Sequence, residues 1–148
     1  MTEFFAPAAP ARTVVRLARL LERSVADLGL AQYRVLGMVA AGDQRATRLA
    51  ECLAVAKPTV TAAVDALVER GFVERTVVPT DRRAARITAT PAGRRALAGA
   101  DAAMAAQLEP ILERVADRRA VLAALADLGD VLDDLAGEHL AAASGARR

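Results

Sequence analysis

The sequence predicts a mainly α fold with a small β wing: a winged helix-turn-helix carried between N- and C-terminal helices. Three observations predict it. Residues 57–91, KPTVTAAVDALVERGFVERTVVPTDRRAARITATP, run through a helix, a glycine stop, two β-branched stretches around a turn, and a Thr-Pro helix start. Composition points the same way: 54% of the 148 residues are hydrophobic but only 3% are aromatic, so the core must come from Leu, Val and Ala, which favours helices. Charge is the third. The formal net charge of +2 is too small to imply a nucleic-acid partner by itself. Its distribution is uneven, with ten basic and six acidic residues over 43–99 against five and nine over 100–148. A positive middle can meet phosphate while the acidic end faces away.

Residues 1–11 hold Phe4, Phe5 and two prolines without periodicity and read as a loosely held arm, able to dock on a neighbouring subunit. Val14, Leu17, Leu21, Val25 and Leu28 recur at helical spacing and predict a first helix over 12–28, with Arg12, Arg16, Arg19 and Arg23 mostly on its other surfaces. After a short break, a second helix is expected over 32–41, turning Tyr33, Leu36 and either Val39 or Ala40 inward and stopping at Gly42-Asp43. Thr47 is a candidate N-cap for a third helix through Leu53 that buries Leu49, Ala50 and Leu53. The fourth helix has Pro58 in its first turn, where a missing N–H costs nothing. It buries Val60, Val64, Leu67 and Val68 and ends at Gly71, which can supply a left-handed residue.

Residues 72–78 and 85–89 are strands, with Pro79 and Asp81 marking the turn between them. Thr90 caps a fifth helix that Pro91 opens, with Leu97, Ala100, Met104 and Leu108 along its apolar side; Pro110 predicts a bend or break before Ile111, Leu112 and Val115. Asp117 starts a sixth helix carrying Val121, Leu122, Leu125, Leu128, Val131, Leu132 and Leu135, while 141–148 offer little to pack. A supporting bundle of these helices with residues 14–28 is the simplest use of both apolar faces, and a second chain is a plausible contributor. The chain thus divides into an arm and dimerisation helix (1–29), a winged region (30–91) and C-terminal dimerisation helices (92–148), integrated in one domain.

The third and fourth helices form a helix-turn-helix, in which one helix supports and the next offers its exposed face to a major groove. Advancing 100° per residue from Val60 puts Thr61, Ala62, Asp65, Ala66 and Glu69 on that face, with Thr59 beside it. The face is small near its beginning, so it can approach closely, and an alanine or threonine methyl can touch the methyl of thymine. The plain alternative is that Ala62, Ala63 and Ala66 are there as strong helix formers.

One cysteine excludes an intrachain disulfide and offers no recognisable zinc site, so Cys52 reads as a buried or half-buried structural residue. His139 stands alone and reads as a surface or packing residue. No Ser/His/Asp array, phosphate-binding glycine loop or metal cluster is visible, so no enzyme activity and no cofactor are expected. No run resembles a signal peptide or a spanning helix, which predicts a cytoplasmic protein without a membrane partner.

At this point the sequence resembles the MarR family of bacterial transcription regulators. The resemblance rests on Leu30-Ala31-Gln32-Tyr33-Arg34-Val35-Leu36, Arg48-Leu49-Ala50 and Val60-Thr61, and above all on the segment from Leu67 to Arg75, followed by Asp81-Arg82-Arg83-Ala84 and Thr90-Pro91-Ala92-Gly93. It implies a triangular homodimer that binds an inverted repeat in double-stranded DNA, most often as a repressor, tuned by a small-molecule effector. It makes the fourth helix the recognition helix, with Arg48, Lys57, Thr59, Thr61, Ala62 and Arg75 as candidate DNA contacts. On the wing it gives Arg83 to the minor groove, Arg82 and Arg86 to phosphates, and Asp81 to an ion pair bracing the tip. Arginine suits those tasks because its charge is permanent and its donors form a fork. The chain departs from a common family pattern at Ala62, Ala63 and Ala66, where long polar side chains are frequent, so fewer base contacts and more reading of DNA shape are expected. The competing expectation is a winged-helix scaffold that binds another macromolecule without sequence-specific DNA recognition.

Overall fold

The computed structural model describes residues 8–25, 27–42, 44–53, 55–78 and 81–145. The expectations for Phe4, Phe5, Asp43 and Pro79 fall outside these residues, as do those for the side chains of Asp81, Arg82, Arg83 and His139. The order is α1 (Ala8–Ser24), α2 (Leu30–Ala41), β1 (Gln44–Arg45), α3 (Ala46–Leu53), α4 (Lys57–Glu69), β2 (Val73–Val78), β3 (Asp81–Ala89), α5 (Pro91–Leu112) and α6 (Arg118–Gly145). The strands form one antiparallel sheet in the order β1-β3-β2.

The core is aliphatic, as the composition requires. Leu36, Leu49, Leu67, Ile87, Val35, Val39, Val60, Val64 and Val73 are fully buried, drawn from α2, α3, α4, β2 and β3. Each contributes roughly 1.5–3 kcal/mol on burial, so the winged region carries most of the packing energy of a single chain.

Several boundaries differ from expectation. α1 ends four residues early because the Val25 carbonyl accepts from both Leu28 N (3.0 Å) and Gly29 N (2.8 Å), closing a turn that folds Val25 and Leu28 into the core. β1 was not anticipated: two residues are too few for an alternating pattern, and the strand exists only because Gln44 and Arg45 pair with Ile87 and Arg86. Thr47 accordingly lies inside α3 and is not its cap. On α4 the buried residues are Val60, Ala63, Val64 and Leu67, while Val68 is 37% exposed. Val68 lies farther from the centre of the inward arc than Ala63, which stands at its opposite edge. Pro110 does not break α5 before Ile111. The helix runs on to Leu112 although Pro110 has no N–H to give residue 106, and beyond it Glu113 N reaches Glu109 O at 3.0 Å.

Other signals formed as expected. Gly71, at φ +68°, ends α4 with a paired closure: Gly71 N donates to Val68 O (2.9 Å) and Phe72 N to Leu67 O (2.9 Å). Thr90 Oγ1 accepts from Gly93 N at 3.0 Å at the start of α5. Asp117 caps α6, its carboxylate accepting from Ala120 N at 2.9 Å.

Within the chain α5 lies on α1 and α2, while α6 has α3 as its main neighbour, not the first helix as expected. α1 and α6 therefore keep large apolar side chains in view. Val14 is 61% exposed, and Leu128 and Leu132 are 57% and 64% exposed.

Candidate nucleic-acid interface

α4 starts without a side-chain cap, since Ala56 occupies the N-cap position. Pro58 has no N–H and Thr59 N already donates to Ala56 O at 2.9 Å, so the helix dipole and the exposed Lys57 are what make this end positive and favourable to phosphate. Thr59, Thr61 and Ala62 are exposed on the first two turns, with no long side chain at these three positions. Thr61 Oγ1 donates to Lys57 O at 3.0 Å. Its proton is thus committed to its own helix and its lone pairs are left to accept, which suits an amino group on a base edge better than a phosphate. Ala63, grouped with Ala62 in the sequence, is buried and belongs to the core.

Arginine is abundant, and the structure sorts it by task. Arg34 donates to Leu53 O (3.1 Å) at the end of α3, and Arg94 to Ala40 O (2.9 Å) near the end of α2, so both satisfy terminal carbonyls. Arg70 donates to Asp27 O (2.8 Å) and lies 4.6 Å over the Phe72 ring. Arg118 grips Glu109 with two bonds of 2.5 and 3.0 Å, across the junction of α5 and α6. That hydrogen bond holds the Glu109 carboxyl below its ordinary range.

Arg75, a candidate contact, points to the core side of the sheet opposite Ile87 and pairs with Asp65 of α4 at 2.6 Å. The pair ties wing to recognition helix and offsets the one carboxylate that α4 places in the middle of its outer face. The other sheet face is different. Arg86 is exposed, with Arg45 directly opposite on β1 and Thr76 on β2. Arg48 reaches the same place from α3, and together with Gln44 these arginines border an open recess of about 300 Å³. Arg48 and Arg86, distant in sequence, are thus brought together. Arg45 was missed because it lies in a strand that only tertiary pairing creates; its three-residue spacing from Arg48 was the available signal. β3 starts at Asp81, four residues before the expected strand, so the backbone of Asp81, Arg82 and Arg83 belongs to the strand and not to the turn.

A second cavity, about 280 Å³, opens beside the first turn of α4. Thr59, Val60 and Ala63 line one side, with Leu30, Ala31, Arg34 and Val35 of α2 and Glu22 of α1 among the other walls. Among the described residues no cluster of His, Cys, Asp and Glu is placed to hold a metal ion, and no helix is long and apolar enough to cross a membrane. Cys52 is half-buried on α3.

A family model described as the MarR family matches residues 26–84. No curated protein matches the chain. Among solved structures, the transcriptional repressor CouR bound to a 23-mer DNA duplex aligns at 30% identity over 86% of this chain and 92% of that one, with a TM-score of 0.71. CouR from Rhodococcus jostii bound to p-coumaroyl-CoA aligns at 25% identity over 85% and 87%, with a TM-score of 0.65. A mutant MarR from E. coli aligns at 26% identity over 88% and 98%, with a TM-score of 0.71. The uncapped, small-faced helix and the arginine-bearing sheet beside it therefore lie in a fold shared along nearly the whole chain, and the protein belongs to the MarR family of winged helix-turn-helix transcriptional regulators.

Proposed function

We propose that the protein is a homodimeric repressor that binds an inverted repeat in double-stranded DNA, inside the cytoplasm, and releases it in response to a small molecule. The observation that carries this reading is the pairing of α4, whose exposed first turns are short and uncapped, with a solvent-facing sheet surface bearing Arg45 and Arg86. Lys57, Thr59, Thr61 and Ala62 approach the major groove; Arg48, Arg82 and Arg86 hold phosphates; Arg83 enters the minor groove, with Asp81 bracing the tip. Arg75 acts at one remove, by fixing the wing against α4 through Asp65. As a family member the chain is a regulator and not an enzyme.

The exposed apolar faces of α1 and α6 support the dimer, since a monomer rarely leaves so many large aliphatic side chains in water. Two copies related by a two-fold axis would present two α4 helices to a palindrome. The cavity beside Thr59 and Val60 supports regulation, because a ligand there touches the first turn of the recognition helix and α2 together. CouR, bound to DNA in one structure and to an acyl-CoA in another, is a precedent for both partners on this fold. Such a ligand acts only if it binds the DNA-competent and DNA-incompetent forms unequally. The test is selection of bound fragments from random and genomic DNA against unrelated competitor duplex. Enrichment of one inverted repeat is the expected result; uniform retention of all sequences would sink the reading.

A further inference from the structure

We infer that Arg45, Arg48 and Arg86 form a single clamp for one DNA backbone phosphate, separate from both the recognition helix and the wing tip. The inference rests on the DNA-binding reading above and adds a site to it. Arg45 of β1 and Arg86 of β3 are direct cross-strand partners, so their side chains leave the same face of the sheet. Arg48 stands one helical turn beyond Arg45, on the first helix of the helix-turn-helix. Three arginines and Gln44 border the recess, which is open to solvent and about 300 Å³ in volume. Neither Arg45 nor Arg48 makes a hydrogen bond or ion pair with any described residue. Arg86 has a partner of its own, and five other arginines, Arg34, Arg70, Arg75, Arg94 and Arg118, each bind a carbonyl or a carboxylate.

Arg45 and Arg86 are like charges directly across a strand pair, an arrangement that favours an anion between them. The recess is open and bordered by three guanidinium groups and one amide, with no hydrophobic residue among its lining, which matches a phosphate diester passing along a surface. The clamp joins β1, α3 and β3, so a phosphate held there fixes the wing relative to the helix-turn-helix and sets the depth at which α4 enters the groove.

The experiment uses the full-length protein, its selected duplex, and the variants Arg45→Gln, Arg48→Gln and the double change. Loss of one phosphate contact from each half-site should lower the magnitude of the log-affinity versus log-salt slope by about 1.8 for the double variant. Methylphosphonate substitution, one phosphate at a time, should reveal one position per half-site whose neutralisation weakens wild type but leaves the double variant unchanged. The melting temperature of free Arg45→Gln should not fall, because Arg45 has no partner among the described residues to lose; an arginine with a structural role would lower it. Wild type that binds its repeat, with a slope and methylphosphonate profile that the double variant leaves intact, overturns the clamp alone. Wild type without DNA affinity overturns the regulator reading and the clamp with it. Saturable binding of inorganic phosphate at micromolar concentration without DNA, abolished in the double variant, would reassign the recess to a free phosphorylated ligand and also overturn the diester clamp.

Discussion

Gly93 is where a single methyl group should do the most damage to the joint between wing and α5. A Cβ built there lies 2.0 Å from the Phe72 carbonyl oxygen and 2.9 Å from its carbon, against 3.4 Å for ordinary contact, so the two backbones must part by about 1.4 Å. That opening breaks two interactions at once: Thr90 N donating to Phe72 O (3.0 Å), and the cap in which Gly93 N donates to Thr90 Oγ1. The lost cap costs about 1 kcal/mol. The lost backbone bond costs about 1 kcal/mol, and the residual strain about 1–3 kcal/mol. Alanine returns about 1 kcal/mol through helix propensity. The net is a destabilisation of about 3 kcal/mol, which for a chain of this size lowers the melting temperature by roughly 6–12 °C. Gly99→Ala, on the same helix with nothing within 4 Å of the added carbon, is the matched control and should gain about 1 kcal/mol. Differential scanning calorimetry at fixed protein concentration reads both. A Gly93→Ala protein that melts with or above wild type would refute the close approach.

Three further outcomes are expected. Burial, followed by the 2.7 Å hydrogen bond to Asp101, pushes the Tyr33 hydroxyl up to about 12. Because the folded value is raised, its stabilising contribution is complete below pH 10 and is lost as pH rises toward 12, so wild type should lose ground to Tyr33→Phe in urea titrations across that window. At neutral pH the same substitution should cost about 0.5–1 kcal/mol, a low figure because the bond is partly solvated. A double-mutant cycle on Asp65 and Arg75 should give a coupling of about 0.2–1 kcal/mol, and Asp65→Ala should weaken DNA binding by freeing the wing from α4; tighter binding would show that the released cation matters more than the orientation. Leu128→Gln with Leu132→Gln should shift sedimentation from dimer toward monomer at micromolar concentration with helical circular dichroism retained, and an unchanged dimer would place the interface elsewhere.

What the sequence made legible was local. Pro58, Gly71, Thr90 and Asp117 carry their reasons in their own chemistry, and each acts at the helix end where that chemistry puts it. The inward residues of α3 could be placed from spacing alone, whereas on α2 spacing gave Leu36 and Val39 but missed Val35, and Tyr33 is only half-buried. Illegible features depend on partners remote in the chain. Arg45 became a site residue only through a strand pairing with Arg86, and Arg75 was diverted to Asp65 by the fold of the sheet onto α4. Likewise Val25 and Leu28 read as continuing a helical stripe, because nothing nearby announces that the Val25 carbonyl will close a turn.

The hairpin of β2 and β3 leaves and rejoins the body at nearly one point. Phe72 O accepts from Thr90 N, Thr90 Oγ1 donates to Gly71 O at 2.7 Å, and Gly93 lies against the same carbonyl. A segment clasped at its base can change length without moving what lies on either side, since extending a surface loop costs little once its ends are held together. The wing is therefore a replaceable part. On the DNA-binding reading proposed above, residues could be added or removed near its tip, altering how far it reaches along flanking DNA, while the angle between α4 and α5, and with it the spacing of the half-sites, stays as it was. Operator length and flank preference can on this design diverge independently among proteins that share the fold.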